Sequence, residues 1–268
     1  MLALGEIRYA NCIPVQAPFR ARWGGAYRFA AGEPAAVNQM LATGAIDCGP
    51  VSSIELARHP DRYQVIPDLA IAARGPARSV LLLTPHPVAA LGGKEVWLTP
   101  ASATSVVLLR ILLERFAGVR PIYCNGEPNE PRSARLLIGD RAMAAAATAP
   151  TGVTVVDLGA WWAEQTGLPM VFALWLLHRA QAARAPAACT ELAQRLAAAR
   201  DEGLAHLDDL ARAHATATLE QATLSAYWRT LSYHFGARER AGLERFFTLA
   251  AELGAVARVP QLTWVAGT

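Results

Sequence analysis

Apolar residues come in short blocks along the first two-thirds of the chain, separated by turn-forming residues and alternating between two periods. Residues 3–9 read as a strand, and Pro14 sits where a first-turn proline opens a helix running to about Trp23. Residues 27–31 read as a second strand, and Glu33-Pro34 begins a helix that Gly44 closes. Residues 45–48 make a short strand, with Ser52 or Ser53 placed to cap a helix reaching His59. Residues 63–73 and 79–84 are strand-like, the second continuously apolar as a strand buried on both faces is. After Pro85-His86-Pro87 the rhythm restarts: a strand at 95–99, a helix at 102–116 with a Ser/Thr-rich start, and strands at 135–138, 153–157 and 170–177. This alternation predicts an α/β protein with largely parallel sheets.

The last third is helical from about Ala185. Leu192, Leu196, Ala199, Gly203, Leu207 and Leu210 are spaced as one face of a helix. Helices near 219–231 and 238–253 follow, then a short strand at 261–265. The apolar strands at 79–84 and 170–177 bracket a self-contained block, which predicts two α/β lobes with these strands as crossings and the helical tail returning to the first lobe. The expected division is residues 1–82 plus 176–268 against 83–175, with a ligand cleft where strand ends and helix N-termini converge.

Composition narrows the chemistry. The 268 residues are 53% hydrophobic and 18% charged, which excludes a disordered chain. With 25 basic and 22 acidic residues the net charge is +3, too small to imply a nucleic-acid face. Lys94 is the sole lysine and stands at the start of a strand, which disfavours Schiff-base chemistry. Cys12, Cys48, Cys124 and Cys189 are scattered without a paired spacing, as in a reducing compartment and unlike a zinc site or redox dithiol. The N-terminus lacks the basic and apolar regions of an export signal, and the apolar run at 168–177 is far shorter than the ~20 residues of a membrane span. The chain reads as soluble and cytoplasmic, with no membrane or nucleic-acid partner.

Phosphate-loop, dinucleotide, zincin and nucleophile-elbow motifs are all absent. His206, Asp209 and His214 share a stretch of helix without a third-ligand signature, and read as a solvated surface rather than a metal site. Polar clusters instead gather at strand-to-helix junctions. Asn11 leaves the first strand just before a helix, where its amide either faces a ligand or closes a turn. Ser52-Ser53 precedes Glu55 at a helix start, which fits either carboxylate binding or plain capping. Thr99, Ser102, Thr104 and Ser105 put four hydroxyls within seven positions at another helix start, more than one cap requires. Asp140 and Asp157 follow strands and are placed to cap the next helix. Two anion-friendly helix starts on opposite lobes suit a small dicarboxylate.

These junctions also carry a resemblance. Tyr9-Ala10-Asn11-Cys12-Ile13-Pro14 resembles the Y-x-N-x-x-P opening of the MqnA family, the chorismate dehydratases of the futalosine route to menaquinone. Gly44-Ala45-Ile46-Asp47 leading into Ser52-Ser53-Ile54-Glu55 is similar to the family's G-x-x-D…S-S-I-E block. Ser102-Ala103-Thr104-Ser105, Ile138-Gly139-Asp140, Asp157-Leu158-Gly159 and Tyr233-His234-Phe235-Gly236 correspond in order. Each motif is weak alone; this many in order are specific, and they run end to end.

The resemblance implies a type II periplasmic-binding-protein-like fold, with two lobes, two crossover strands and a helical C-terminal segment, used as an enzyme. It implies loss of water from chorismate to give 3-[(1-carboxyvinyl)oxy]benzoate, with no cofactor and no metal. It puts Asn11 and Ser79 beside the reacting carbons, and Tyr9, Ser52, Ser53, Thr99, Ser102, Thr104, Ser105 and Asp140 against the substrate. The rivals are the sister 1,4-dihydroxy-6-naphthoate synthase and a non-catalytic small-anion solute-binding protein. The first is expected to open on a different motif and to use a histidine in the second lobe, where none lies between His86 and His178.

Overall fold

The computed structural model describes residues 1–126, 128 and 133–266. Along the chain, β1 (Ala3–Ile7), α1 (Ile13–Trp23), β2 (Arg28–Gly32), α2 (Pro34–Ala42), β3 (Cys48–Ser52), α3 (Ile54–Arg58) and β4 (Tyr63–Ala73) come first. Then come β5 (Val80–Thr84), β6 (Glu95–Leu98), α4 (Ala103–Ile111), β7 (Ile122–Asn125), β8 (Ala134–Ile138), α5 (Gly139–Ala147), β9 (Thr154–Asp157) and α6 (Leu158–Thr166). The chain closes with β10 (Met170–His178), α7 (Arg179–Arg184), α8 (Pro186–Ala205), α9 (Leu207–His214), α10 (Gln221–Trp228), β11 (Leu231–Ser232) and α11 (Ala237–Glu252).

These build two lobes, each around one sheet. The first sheet has the order β11-β4-β10-β3-β1-β2 and the second β7-β6-β8-β5-β9. The expected lobe limits fall in mid-strand within β5 and β10. In the sheets each strand stays whole: β5 pairs only within the second sheet and β10 within the first, so the chain passes between lobes just before each of them.

The sheets are mixed rather than largely parallel. β1 runs parallel to β2 and β3, and β6 parallel to β7 and β8. β10 runs antiparallel to β3 and β4, and β5 antiparallel to β8 and β9. The reason is where the passing strands start. The strands of βα units end at the cleft, whereas β5 and β10 arrive from the opposite lobe and begin there. Val80 is accordingly level with Ile138 at the end of β8, and Ala173 with Ser52 at the end of β3.

Other departures have local causes. The strand expected at 45–48 is displaced to Cys48–Ser52 and runs through Gly49-Pro50. Proline is tolerated there because β3 meets β1 at the single pairing Leu4–Cys48 and takes its ladder from β10. The helical face running through Leu210 is interrupted at His206, which separates α8 from α9. The strand expected at 261–265 amounts to one bridge, Val65 to Trp264. β7 was not anticipated, since it lies at the sheet edge with polar and half-exposed residues that leave little period. Among the described residues no helix is long and apolar enough to cross a membrane.

The C-terminal helices complete the first lobe. Trp228, Tyr227, Tyr233, Phe235, Phe246 and Phe247 are fully buried. α8 lies across α1, and the contact depends on Gly203, where a Cβ would fall 1.8 Å from the Pro14 carbonyl oxygen. Such a clash moves backbone rather than a side chain. Gly203→Ala is expected to destabilise the protein by about 2–3 kcal/mol and lower Tm by roughly 5–10 °C. Gly25→Ala, with nothing within 4 Å, is the control and should stay within about 0.5 kcal/mol. Equal melting of the two variants would refute the close-approach argument.

Candidate functional site

A cleft lies between the lobes. Its polar lining is Tyr9, Asn11, Ser52, Ser79, Ser102 and Ser105, set among Ile7, Ile71, Val80, Ile138, Phe172 and other apolar residues. No ionisable side chain other than the Tyr9 phenol is among the lining residues.

Asn11 sits on the one-turn 3₁₀ segment Ala10–Cys12 between β1 and α1. The turn is pinned from several sides. Cys12 N–H donates to the Tyr9 carbonyl at 3.0 Å, Trp228 Nε1–H to the Ala10 carbonyl at 2.8 Å, and Tyr233 Oη–H to the Asn11 carbonyl at 2.9 Å. The carboxamide oxygen of Asn11 is different: it is buried and has no hydrogen-bond partner. A buried acceptor without a donor is costly to a fold, and such an atom at a cleft is complementary to a ligand donor.

Ser79 is brought to the cleft by a strained passage. Arg78, with φ at +59°, donates its N–H to Asp157 Oδ2 at 2.6 Å, and Ala77 N–H reaches Asp157 Oδ1 at 3.0 Å. Asp157 is also the cap of α6, accepting from Gly159 and Ala160 N–H at 2.9 and 3.0 Å, as its place after a strand predicts. Ser79 Oγ lies 2.7 Å from Tyr227 Oη, and the Ser79 carbonyl accepts from Gly139 N–H at 2.8 Å.

Ser52 ends β3 and is held by the Asn38 carboxamide, whose Nδ2 donates to Ser52 Oγ and whose Oδ1 accepts from Ser52 N–H, both at 3.0 Å. That leaves the Ser52 proton free for the cleft. Ser102 caps α4, accepting from Ser105 N–H at 3.2 Å, and the two hydroxyls are 2.9 Å apart. Tyr9 donates to the Glu33 carboxylate, and its ring packs on Gly139, where φ is +61° and a Cβ would fall 2.6 Å from the ring. Burial and the Glu33 bond push the phenol well above its ordinary range, so it stays protonated.

Four of the expected residues do not line the cleft. Ser53 donates to the Val171 carbonyl at 2.8 Å and lies 3.2 Å from Thr104 Oγ1, which also accepts from Ile54 N–H at 3.2 Å. These two buried hydroxyls tie α3 to α4 across the lobes. Thr99 Oγ1 closes a local turn with Ala101 N–H at 3.2 Å. Asp140, in the first turn of α5, accepts from Ala10 N–H at 3.1 Å, a further bond between lobes, instead of capping its own helix. Asn38, Tyr227 and Tyr233 were missed, because a polar residue on an apolar helix or an aromatic in a core carries no periodicity of its own. Among the described residues, no three His, Cys, Asp or Glu side chains gather as a metal ion would require.

The family described as menaquinone biosynthesis matches residues 2–252. The chain belongs to that family. A chorismate dehydratase from Thermus thermophilus is 36% identical over 262 residues, covering 91% of this chain and 93% of that protein. A 1,4-dihydroxy-6-naphthoate synthase from the same organism is 28% identical over 244 residues, 85% of each chain. In solved structures, the periplasmic aliphatic sulphonate binding protein SsuA from Escherichia coli shares the fold with TM-score 0.64 at 17% identity, over 97% of this chain and 94% of that one. The two-lobe periplasmic-binding-protein-like architecture of this menaquinone biosynthesis family member is thus the one predicted.

The Asp140 latch has a measurable consequence. Burial raises its carboxyl above the ordinary range, partly countered by the Ala10 N–H, with Glu33 raising it further. In the unfolded chain the group titrates near ~3.9, so folding favours its protonated form and the ionised form weakens the fold at neutral pH. Asp140→Asn keeps an acceptor for Ala10 N–H without the charge. It should melt higher than the parent at about pH 7, with the advantage shrinking as pH falls through the raised folded value and vanishing below about pH 4. Melting curves across this range test it; a pH-independent loss of stability would contradict it.

Proposed function

We propose that this protein is a chorismate dehydratase, forming 3-[(1-carboxyvinyl)oxy]benzoate in the cytoplasm for the futalosine route to menaquinone. The observation that carries the reading is the unpaired, buried Asn11 carboxamide oxygen in a cleft whose other polar groups are hydroxyls. Chorismate has two carboxylates, which accept, and one ring hydroxyl, which can donate. Asn11 Oδ1 accepts a hydrogen bond from that hydroxyl, which keeps its proton, and so fixes the direction of the C–O bond. Ser102 and Ser105, at the N-terminus of α4, hold one carboxylate with the helix dipole behind them. Ser52 donates to the other from the opposite lobe. Ser53, Thr104 and Asp140 act by holding the lobes together, and Tyr9 by walling the cleft.

The reaction is a redox-neutral elimination. The proton on the enolpyruvyl-bearing ring carbon leaves, the electron pair of that bond completes the aromatic ring, and the neighbouring C–O bond breaks. The departing oxygen ends as water by taking up a proton equivalent to the one removed. Among the described residues no carboxylate or histidine lines the cleft, so the base in this reading is a water molecule or the substrate's own enolpyruvyl carboxylate, and the protein contributes by orientation and by excluding solvent. The naphthoate synthase reading is supported by a lower identity, 28% against 36%.

Purified protein mixed with chorismate should lose one water from the substrate, followed by ultraviolet absorbance and mass. Asn11→Ala should lower kcat by about 100-fold or more, and Asn11→Asp, which places an unpaired charge beside the substrate carboxylates, should be similarly impaired. Binding of chorismate without turnover, or full activity in Asn11→Asp, would overturn the assignment.

A further inference from the structure

The hydroxyl pair Ser79–Tyr227 contains more information than one hydrogen bond. Ser79 is 4% exposed and reaches the cleft; Tyr227 is 1% exposed and does not. Their oxygens are 2.7 Å apart, and Ser79 Oγ is also 3.3 Å from the Ala77 carbonyl. Among the described residues, Ser79 Oγ is the one hydrogen-bond partner of the Tyr227 hydroxyl. Two protons must be shared over this group. Were Ser79 to donate to Tyr227, the phenolic proton would be buried with no acceptor, an arrangement folded proteins avoid. Tyr227 is therefore the donor. The Ser79 proton is left with a long contact to Ala77, or with whatever oxygen enters the cleft.

We propose that Tyr227 is a positioning residue for the reaction: by donating to Ser79 Oγ it turns the Ser79 proton into the cleft, where Ser79 donates to the departing hydroxyl oxygen of the substrate. This rests on the dehydratase reading above. The chain of two donors runs one way, and each bond polarises the next. Burial, only partly offset by the Ser79 bond, holds the phenol above its ordinary range, so it donates at every working pH and gives up no proton. Ser79 likewise keeps its proton and stabilises charge as the C–O bond lengthens, an interaction stronger in the transition state than in the bound substrate.

The placement of Tyr227 is not incidental to the rest of the site. It lies on α10, next to Trp228, which holds the Ala10 carbonyl, and six residues before Tyr233, which holds the Asn11 carbonyl. One C-terminal segment therefore fixes both the Asn11 backbone and the Ser79 hydroxyl.

The test is a double-mutant cycle on chorismate turnover with the parent protein, Ser79→Ala, Tyr227→Phe and the pair, each checked by its melting temperature. Tyr227→Phe, which keeps the ring, should lower kcat about tenfold or more with KM changed less than about threefold. In the Ser79→Ala background the same change should cost no more than about twofold further. Additive losses, or a rise in KM alone, would show that Tyr227 does not act through Ser79. Should Tyr227→Phe fail to fold, 3-fluorotyrosine at position 227 preserves the shape and strengthens the donor; an unchanged kcat there overturns the proposal. A parent protein inert toward chorismate would instead locate the failure in the dehydratase reading, while an active parent with additive variants locates it here.

Discussion

One carboxylate sets the geometry on which the cleft depends. Asp157 accepts four backbone N–H groups, two from the start of α6 and two from the passage that carries the chain between lobes. A non-glycine residue in the left-handed region, as Arg78 is, costs on the order of 1–2 kcal/mol, and the bond from its N–H to Asp157 offsets that cost. The approach is also sterically exclusive, since a Cβ on Gly159 would lie 2.7 Å from the Gly75 carbonyl oxygen. With residues 77 and 78 fixed, Ser79 has one way to enter β5, and its carbonyl meets Gly139 at the start of α5. The junction between lobes is thus an ordered part of the site.

A second constraint comes from the far end of the chain. The turn bearing Asn11 is short and contributes few contacts of its own, and its carbonyls are held by Trp228 and Tyr233. The helical segment that breaks the α/β rhythm therefore has a definite task. It buries aromatic rings under the first lobe and sends three polar tips, from Tyr227, Trp228 and Tyr233, to the residues at the cleft. Aromatic side chains suit this, because they bury large apolar area while ending in a single donor.

The sequence is informative where the period is clean. β4 and β5, the latter a continuous apolar run, were legible to within a residue, as was the capping aspartate of α6. It is less informative where two adjacent residues look alike. Ser52 and Ser53 are equivalent on paper, but Ser52 ends a strand facing the cleft, whereas Ser53 is turned toward Val171 and Thr104. The same division separates Ser102 and Ser105 from Thr104, which lies between them in the first turn of α4. Orientation of this kind is decided by the register of β3 against β10 and by how α3 meets α4, and neither is encoded within a few residues of the serines.

The neutrality of the cleft follows from what it must hold. A small molecule with two carboxylates brings its own charge into a space walled by Ile7, Ile71, Val80, Ile138 and Phe172. An ionised aspartate or glutamate there would repel it in a medium where that repulsion is poorly screened, and an arginine would bind it tightly in the ground state without favouring reaction. Hydroxyls and a helix N-terminus avoid both outcomes, since they supply donors whose geometry can be fixed by partners outside the cleft. Asn38 fixes Ser52, Ser102 and Ser105 fix each other, and Tyr227 fixes Ser79. Asn11 is the exception that gives direction to the set. Its carboxamide oxygen is an acceptor in a site otherwise rich in donors, so it meets a carboxylate unfavourably and a hydroxyl favourably. In the proposed reaction a dicarboxylate carrying one hydroxyl turns that hydroxyl toward Asn11 and its carboxylates toward the serines, the orientation in which acceptor meets donor throughout.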